Sequence, residues 1–162
     1  MRIGYLSNGI SCELEMQSKL KEWLTAKELK FIDELYVSEV SRRPDFLVWK
    51  PGNGLINIEA KCNNHEEIIK QLRDNANYCD YSFAYIPDYS NTTKSFKRSL
   101  LEYGFGLIIY HHNMQVITEV LESHQNKGID RALRNMVIQR MDKEIIRRKK
   151  AQIIDTQQTL KL

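Results

Sequence analysis

The chain has few of the features that mark secreted, membrane-spanning or zinc-held proteins. None of its 162 residues fall in an apolar run approaching the roughly 20 needed to cross a bilayer. Met1 is not followed by the basic start and apolar stretch of a secretory signal, so a cytoplasmic location and no membrane partner are expected. Its three cysteines, Cys12, Cys62 and Cys79, are an odd number without CxxC spacing or a histidine at zinc-finger distance. Neither a disulfide framework nor a structural zinc is expected, and a reducing compartment is the simple reading. There is no internal repeat and no low-complexity linker, and the length suits one domain. Ser11 and the cysteines lack an evident base partner, so nothing favours nucleophilic catalysis. A net charge of +3 hardly separates a nucleic-acid binder from other proteins. From residue 128 onward, however, nine Lys or Arg face four Asp or Glu, and the positive charge sits at one end.

What is present reads as a mixed α/β chain. Met16, Leu20, Trp23 and Leu24 recur at helical spacing between Ser11 and Lys27, with Ser11 placed as the N-cap. Three β-rich runs follow, Tyr36 to Val40, Asp45 to Trp49 and Leu55 to Lys61, separated by segments of turn composition, and they predict an antiparallel meander. Pro44 stands where its missing N–H removes least from a ladder. Then come a helix over 64–78, a strand from Tyr81 to Ile86, a helix over 93–103, and strands at Gly104 to His111 and Met114 to Val120. A basic helix opens near Gly128 and reaches about Lys150. The predicted organisation is a core over 1–127, a basic helix over 128–150 packed on the core or on a partner, and a flexible tail over 151–162. Together these give an α/β fold with a central mixed sheet flanked by helices.

The informative stretch is Arg43-Pro44-Asp45 followed, thirteen residues later, by Glu59-Ala60-Lys61. Side chains alternate along a strand, so Glu59 and Lys61 share a face that Ala60 does not. A hairpin neighbour carrying Asp45 would bring a second carboxylate to that spot. Asp45 and Glu59 interrupt runs such as Phe-Leu-Val-Trp and Ile-Asn-Ile that otherwise look buried, where unpaired charge is costly. Mg²⁺ prefers carboxylate and carbonyl oxygens and keeps several waters, a role that fits Asp45, Glu59 and the Ala60 carbonyl. Lys61 would orient a water and offset charge developing on a phosphorane.

Arg43-Pro44-Asp45 with Ile58-Glu59-Ala60-Lys61, behind an amphipathic helix, resembles the PD-(D/E)xK nucleases, a superfamily of restriction, repair and recombination enzymes, and in particular small MmcB-like and RecB-type nuclease domains. The resemblance spans roughly residues 11–120 in element order, on few motif residues. It implies a restriction-endonuclease-like core, a catalytic set of Asp45, Glu59, Lys61 and Gln71, and Mg²⁺, with Mn²⁺ as a substitute. Many members place an acid on the first helix, facing the metal. Leu20 and Leu24 lie within about 20° of Glu13 on a helical projection, which makes Glu13 the inward candidate and puts Glu15 opposite. A tyrosine sometimes follows the glutamine, and Tyr78 is a looser match to it. The implied activity is metal-dependent cleavage of DNA, with endonuclease preferred. The alternatives are a catalytically silent nucleic-acid-binding or protein-interaction module of the same fold, and an unrelated α/β interaction module.

Other residues carry two readings each. Glu39, on the expected strand before Asp45, is a third site acid, a solvent-facing charge or the partner of Arg43. Tyr78 is expected as packing. His111 and His112, adjacent in a strand, point to opposite faces and are expected to be structural. Arg43 and the arginines of the last helix, Arg131, Arg134, Arg140, Arg147 and Arg148, would suit a phosphate backbone. Leu133, Val137, Met141, Ile145 and Ile146 give that helix an apolar stripe, so homodimerisation stays open beside nucleic-acid contact.

Overall fold

A computed structural model describes the backbone of residues 9–161 and the side chains of residues 12–161. Residues 1–8 of the expected core and Leu162 of the expected tail lie outside the described residues. The chain forms α1 (Gly9–Ala26), β1 (Lys30–Asp33), β2 (Phe46–Lys50), β3 (Gly54–Ala60), α2 (His65–Asn75), β4 (Tyr81–Pro87), α3 (Lys94–Tyr103), β5 (Gly106–His111), β6 (Val116–Leu121) and α4 (Arg131–Thr159). One six-stranded sheet runs in chain order, β1 to β6. The first three strands are an antiparallel meander, β3, β4 and β5 are parallel through the α2 and α3 crossovers, and β6 returns antiparallel.

Three departures from the sequence reading have physical causes. The meander begins at Lys30–Asp33, whereas Tyr36 to Val40 forms a turn closed by a bridge between Val37 and Arg42. Positive φ at Glu34 and Ser41 breaks the extended path on either side, so alternation in the sequence there reflects one buried valine and no ladder. Ser11 lies within α1 and does not cap it, because the helix already includes Gly9. The tail expected over 151–162 is not irregular: α4 continues to Thr159, with residues 151–161 all exposed.

Period-two alternation places the core. Ile56, Ile58 and Ala60 of β3 face α1, where Met16, Leu20 and Leu24 are buried against them and against Phe46 and Val48. Burying each such side chain contributes about 2 kcal/mol. The opposite face holds two further clusters. Leu47 and Leu55 pack with Val137 and Met141 of α4, so this helix lies on the core, and Ala84 and Ile86 pack with α2 and α3. Caps start the helices on that face: Asn64 accepts from the Glu67 N–H at 3.3 Å, Thr93 from Phe96 at 3.0 Å and Asp130 from Leu133 at 3.0 Å. β3 is buried along its whole length, so any polar side chain on its α2–α4 face sits at the centre of the molecule.

Candidate functional site

Asp45 and Glu59 meet across β2 and β3. The register pairs Phe46 with Ile58, and the next positions outward are Asp45 and Glu59 on a common face. The backbone ladder stops there because Pro44 begins the segment. The Asp45 carboxylate takes over, its Oδ2 accepting the Ala60 N–H at 2.8 Å. Glu59 is 1% exposed, adjoins the Asp45 charge and is hydrogen-bonded from α2. Lys61 continues the edge of β3, donating its N–H to the Tyr85 carbonyl at 3.1 Å. Its ammonium is close enough to lower the proton affinity of both acids.

The electrostatics are those of two acids and one cation in a dry place. Burial pushes the Glu59 carboxyl well above the usual range, and the neighbouring Asp45 charge pushes it further. Burial also raises Asp45, opposed by the Ala60 N–H, by Glu59 and by Lys61. Of the two carboxyls, Glu59 is the one raised further. Perturbed acids grouped in this way are a mark of functional sites.

The α2 helix supplies what the sequence reading only partly found. Asn75 Nδ2 donates to Glu59 Oε1 at 2.8 Å, and the Tyr78 hydroxyl donates to Asn75 Oδ1 at 2.6 Å. Asn75 is 2% exposed and Tyr78 fully buried. Gln71, one turn before Asn75 on the same helix face, keeps its Oε1 buried without a hydrogen-bond partner. Asn75 was invisible as a site residue in the sequence; its only signal is spacing, four residues after Gln71. Tyr78, expected as packing, is packed and also joined to the site.

Glu13 stands near enough for its charge to raise Asp45. It does not complete a carboxylate triad: among the described residues no three His, Cys, Asp or Glu side chains are grouped to hold a metal. The donor set that does converge is Asp45 and Glu59, and two carboxylates suffice for a cation that keeps its waters and takes phosphate oxygens. Glu39 is not a site acid. It lies in the turn before β2, where hydrogen bonds from Arg140 of α4 hold it down at about 2.

Cys12 and Cys62 are joined by a disulfide with Cα atoms 6.6 Å apart, contrary to the expectation of free thiols. Fifty residues of sequence separate the two, and only the fold brings α1 to the end of β3. The bridge sits next to Glu13 on one side and Lys61 on the other. Around it, the Ser90 hydroxyl donates to the Cys62 carbonyl at 3.0 Å and lies 2.6 Å from His65 Nε2. The serine proton is thus spent on backbone, and the pair clamps the segment after Lys61. His111 Nδ1 lies 3.8 Å from Asp88 and His112 Nδ1 3.5 Å from Glu15, both at strand ends beyond the acid pair.

The expected nucleic-acid arginines divide. Arg134 pairs with Asp80 at 2.7 Å, Arg148 with Asp33 at 2.6 Å, Arg147 with Glu144 at 2.7 Å, and Arg140 with Glu39. Three of these fasten α4 to the rest of the fold, and the fourth lies within α4. Arg43 and Arg131 are exposed, as are Lys143, Lys149 and Lys150. A groove of about 630 Å³ on the α1 face, floored by Val48, Ile56 and Phe83, lies toward the other end of the strands from the acids.

No family model matches the chain, and no curated protein matches it. Among solved structures it is similar to a Silicibacter pomeroyi protein of unknown function, SPO1766, with a TM-score of 0.65 and 19% identity, covering 86% of this chain and 89% of that one. The likeness establishes the α/β fold, a six-stranded mixed sheet flanked by helices including the C-terminal one. No described helix is long and apolar enough to cross a membrane.

Proposed function

We propose that the chain is a metal-dependent deoxyribonuclease with a restriction-endonuclease-like core, acting as an endonuclease on DNA. The observation that carries this reading is the Asp45–Glu59 pair, Glu59 buried and Asp45 partly so, beside Lys61 at the carboxyl end of the first parallel strand. In open α/β sheets, ligands bind at the carboxyl ends of the strands. A buried acid set against a second acid is costly, and such an arrangement is seldom kept without cause.

Asp45, Glu59 and the Ala60 carbonyl would hold Mg²⁺ or Mn²⁺. Such an ion supplies polarisation of a phosphoryl oxygen and a lowered pKa for an attacking water. Lys61 orients that water and meets the negative charge that grows on the phosphoryl oxygens. Gln71, whose buried Oε1 has no hydrogen-bond partner, would accept a hydrogen bond from the same water. Glu13, whose charge is felt at Asp45, would act at longer range. Exposed Arg43, Arg131, Lys149 and Lys150 contribute salt-dependent contact with phosphates.

The test is cleavage of linear, circular single-stranded and branched DNA with Mg²⁺ or Mn²⁺. Lys61→Ala is expected to slow cutting by about 10²- to 10³-fold with the melting temperature unchanged, and Asp45→Ala to abolish it. Cutting of circles identifies an endonuclease. Equal background in all three proteins would leave a silent binding module as the better reading.

A further inference from the structure

The Glu59 carboxylate is not held by the strand alone. A glutamate side chain has three rotatable bonds, and a metal ligand must be fixed within about half an ångström to be useful. Asn75 fixes one oxygen of Glu59 through the 2.8 Å hydrogen bond from Nδ2. An amide can turn over and present its oxygen instead, which would repel the carboxylate. Tyr78 prevents this: its hydroxyl donates to Asn75 Oδ1 at 2.6 Å, so the nitrogen is the end left for Glu59. Asn75 comes from the last turn of α2 and Tyr78 from the segment just after it, and both are buried.

Resting on the nuclease reading above, we propose that Asn75 is a positioning residue for Glu59, with Tyr78 as the lock on its orientation. The pair sets which carboxylate oxygen is engaged by protein and which is left for the cation. Neither residue touches the reacting phosphate. The donor is neutral, so it orients Glu59 without cancelling the charge that a cation needs. An arginine in its place would pair with the acid and close the site.

The experiment measures Mn²⁺ binding by calorimetry to the wild type, Asn75→Leu and Tyr78→Phe, with thermal midpoints taken in the absence of metal. Asn75→Leu keeps the size and removes the donor without adding charge. It is expected to weaken Mn²⁺ by on the order of 10- to 100-fold, as loss of an orienting partner usually does. Tyr78→Phe, which frees the amide to turn, is expected to weaken it by about threefold. Wild-type Mn²⁺ affinity in both variants, with only the midpoints lowered, would show a structural role and overturn the inference while leaving the nuclease reading intact. A wild type that binds no Mn²⁺ would instead overturn the nuclease reading. The inference then stands or falls on where the Asn75 side-chain amide protons lie in NMR: cross-relaxation from them to the Glu59 γ-protons that weakens in Tyr78→Phe supports it, and amide protons that lie against the Tyr78 ring and not against Glu59 in the wild type sink it.

Discussion

Two carboxylates are buried against opposite ends of β3, on the same face of the sheet, and their partners differ. Asp80, 7% exposed, accepts the Leu55 N–H at 2.7 Å and the Arg134 Nε–H at 2.7 Å. Its charge is matched by a guanidinium, and Gly54 is required beside it because a side chain there would run into both Asp80 and Arg134. Glu59, at 1% exposure, has a neutral amide on one side and a second acid on the other. The first arrangement completes itself. The second is left short of positive charge in a place where charge is expensive, and that shortage separates a candidate site from a structural ion pair.

The two ends are also clamped differently, covalently at Glu59 and ionically at Asp80. Loop closure makes the covalent clamp the stronger one: a cross-link across 50 residues restricts the unfolded chain by about 4 kcal/mol. Reduction of Cys12–Cys62, or the double replacement by serine, is expected to lower the unfolding free energy by about that amount in denaturant titration. Activity should fall as well, because the bridge adjoins Glu13 and Lys61. Identical denaturation curves with and without a dithiol reductant would show that the bridge does not hold this end together.

At the other end, Asp80→Ala is expected to cost about 3 kcal/mol, since it strands the largely buried Arg134 and leaves the Leu55 N–H without its acceptor. The variant should keep whatever cleavage the wild type has once its lower stability is allowed for. If Asp80→Ala instead abolished cutting at temperatures where it remains folded, the division between a structural end and a chemical end would be wrong.

The sequence carried this contrast only in part. The helical spacing of Met16, Leu20 and Leu24 and the alternation in β2 and β3 identified both layers and placed Asp45, Glu59 and Lys61 together, because those periodicities are local. Asn75 and the Cys12–Cys62 bridge were not legible, since each depends on a long-range approach of elements that no local spacing encodes. β1 was misplaced because Lys-Phe-Ile-Asp is too short to show a period, while the Val37 turn imitates one. The basic helix looked like a nucleic-acid surface because a sequence counts charges without their partners. Arg134, Arg140 and Arg148 find acids ahead of β4, on the turn before β2 and on β1 respectively, and hold the fold together.

The smallest expected effect is the most direct comparison of matched with unmatched charge. Glu59 has a folded-state pKa above its unfolded value near 4.5, owing to burial and then to Asp45. Its contribution to stability is therefore full below about pH 4.5 and is lost as pH rises through the raised value, where folding must bury a charge. Glu144, held down at about 2 by Arg147 and Arg148, behaves oppositely, its contribution fading only as pH falls through the acid range. As pH rises from about 4.5 through the raised Glu59 value, the metal-free protein should thus lose stability. Glu59→Gln keeps the acceptor oxygen for Asn75 and removes the charge, so the slope should flatten and the variant should be the more stable protein at pH 8. Mg²⁺ or Mn²⁺ should restore the wild type at pH 8 and leave Glu59→Gln unchanged, because a cation bound only by the folded state stabilises it and needs the deprotonated pair. Melting curves across pH, with and without metal, read all of this; a wild type and variant with parallel pH profiles would mean that Glu59 is matched after all.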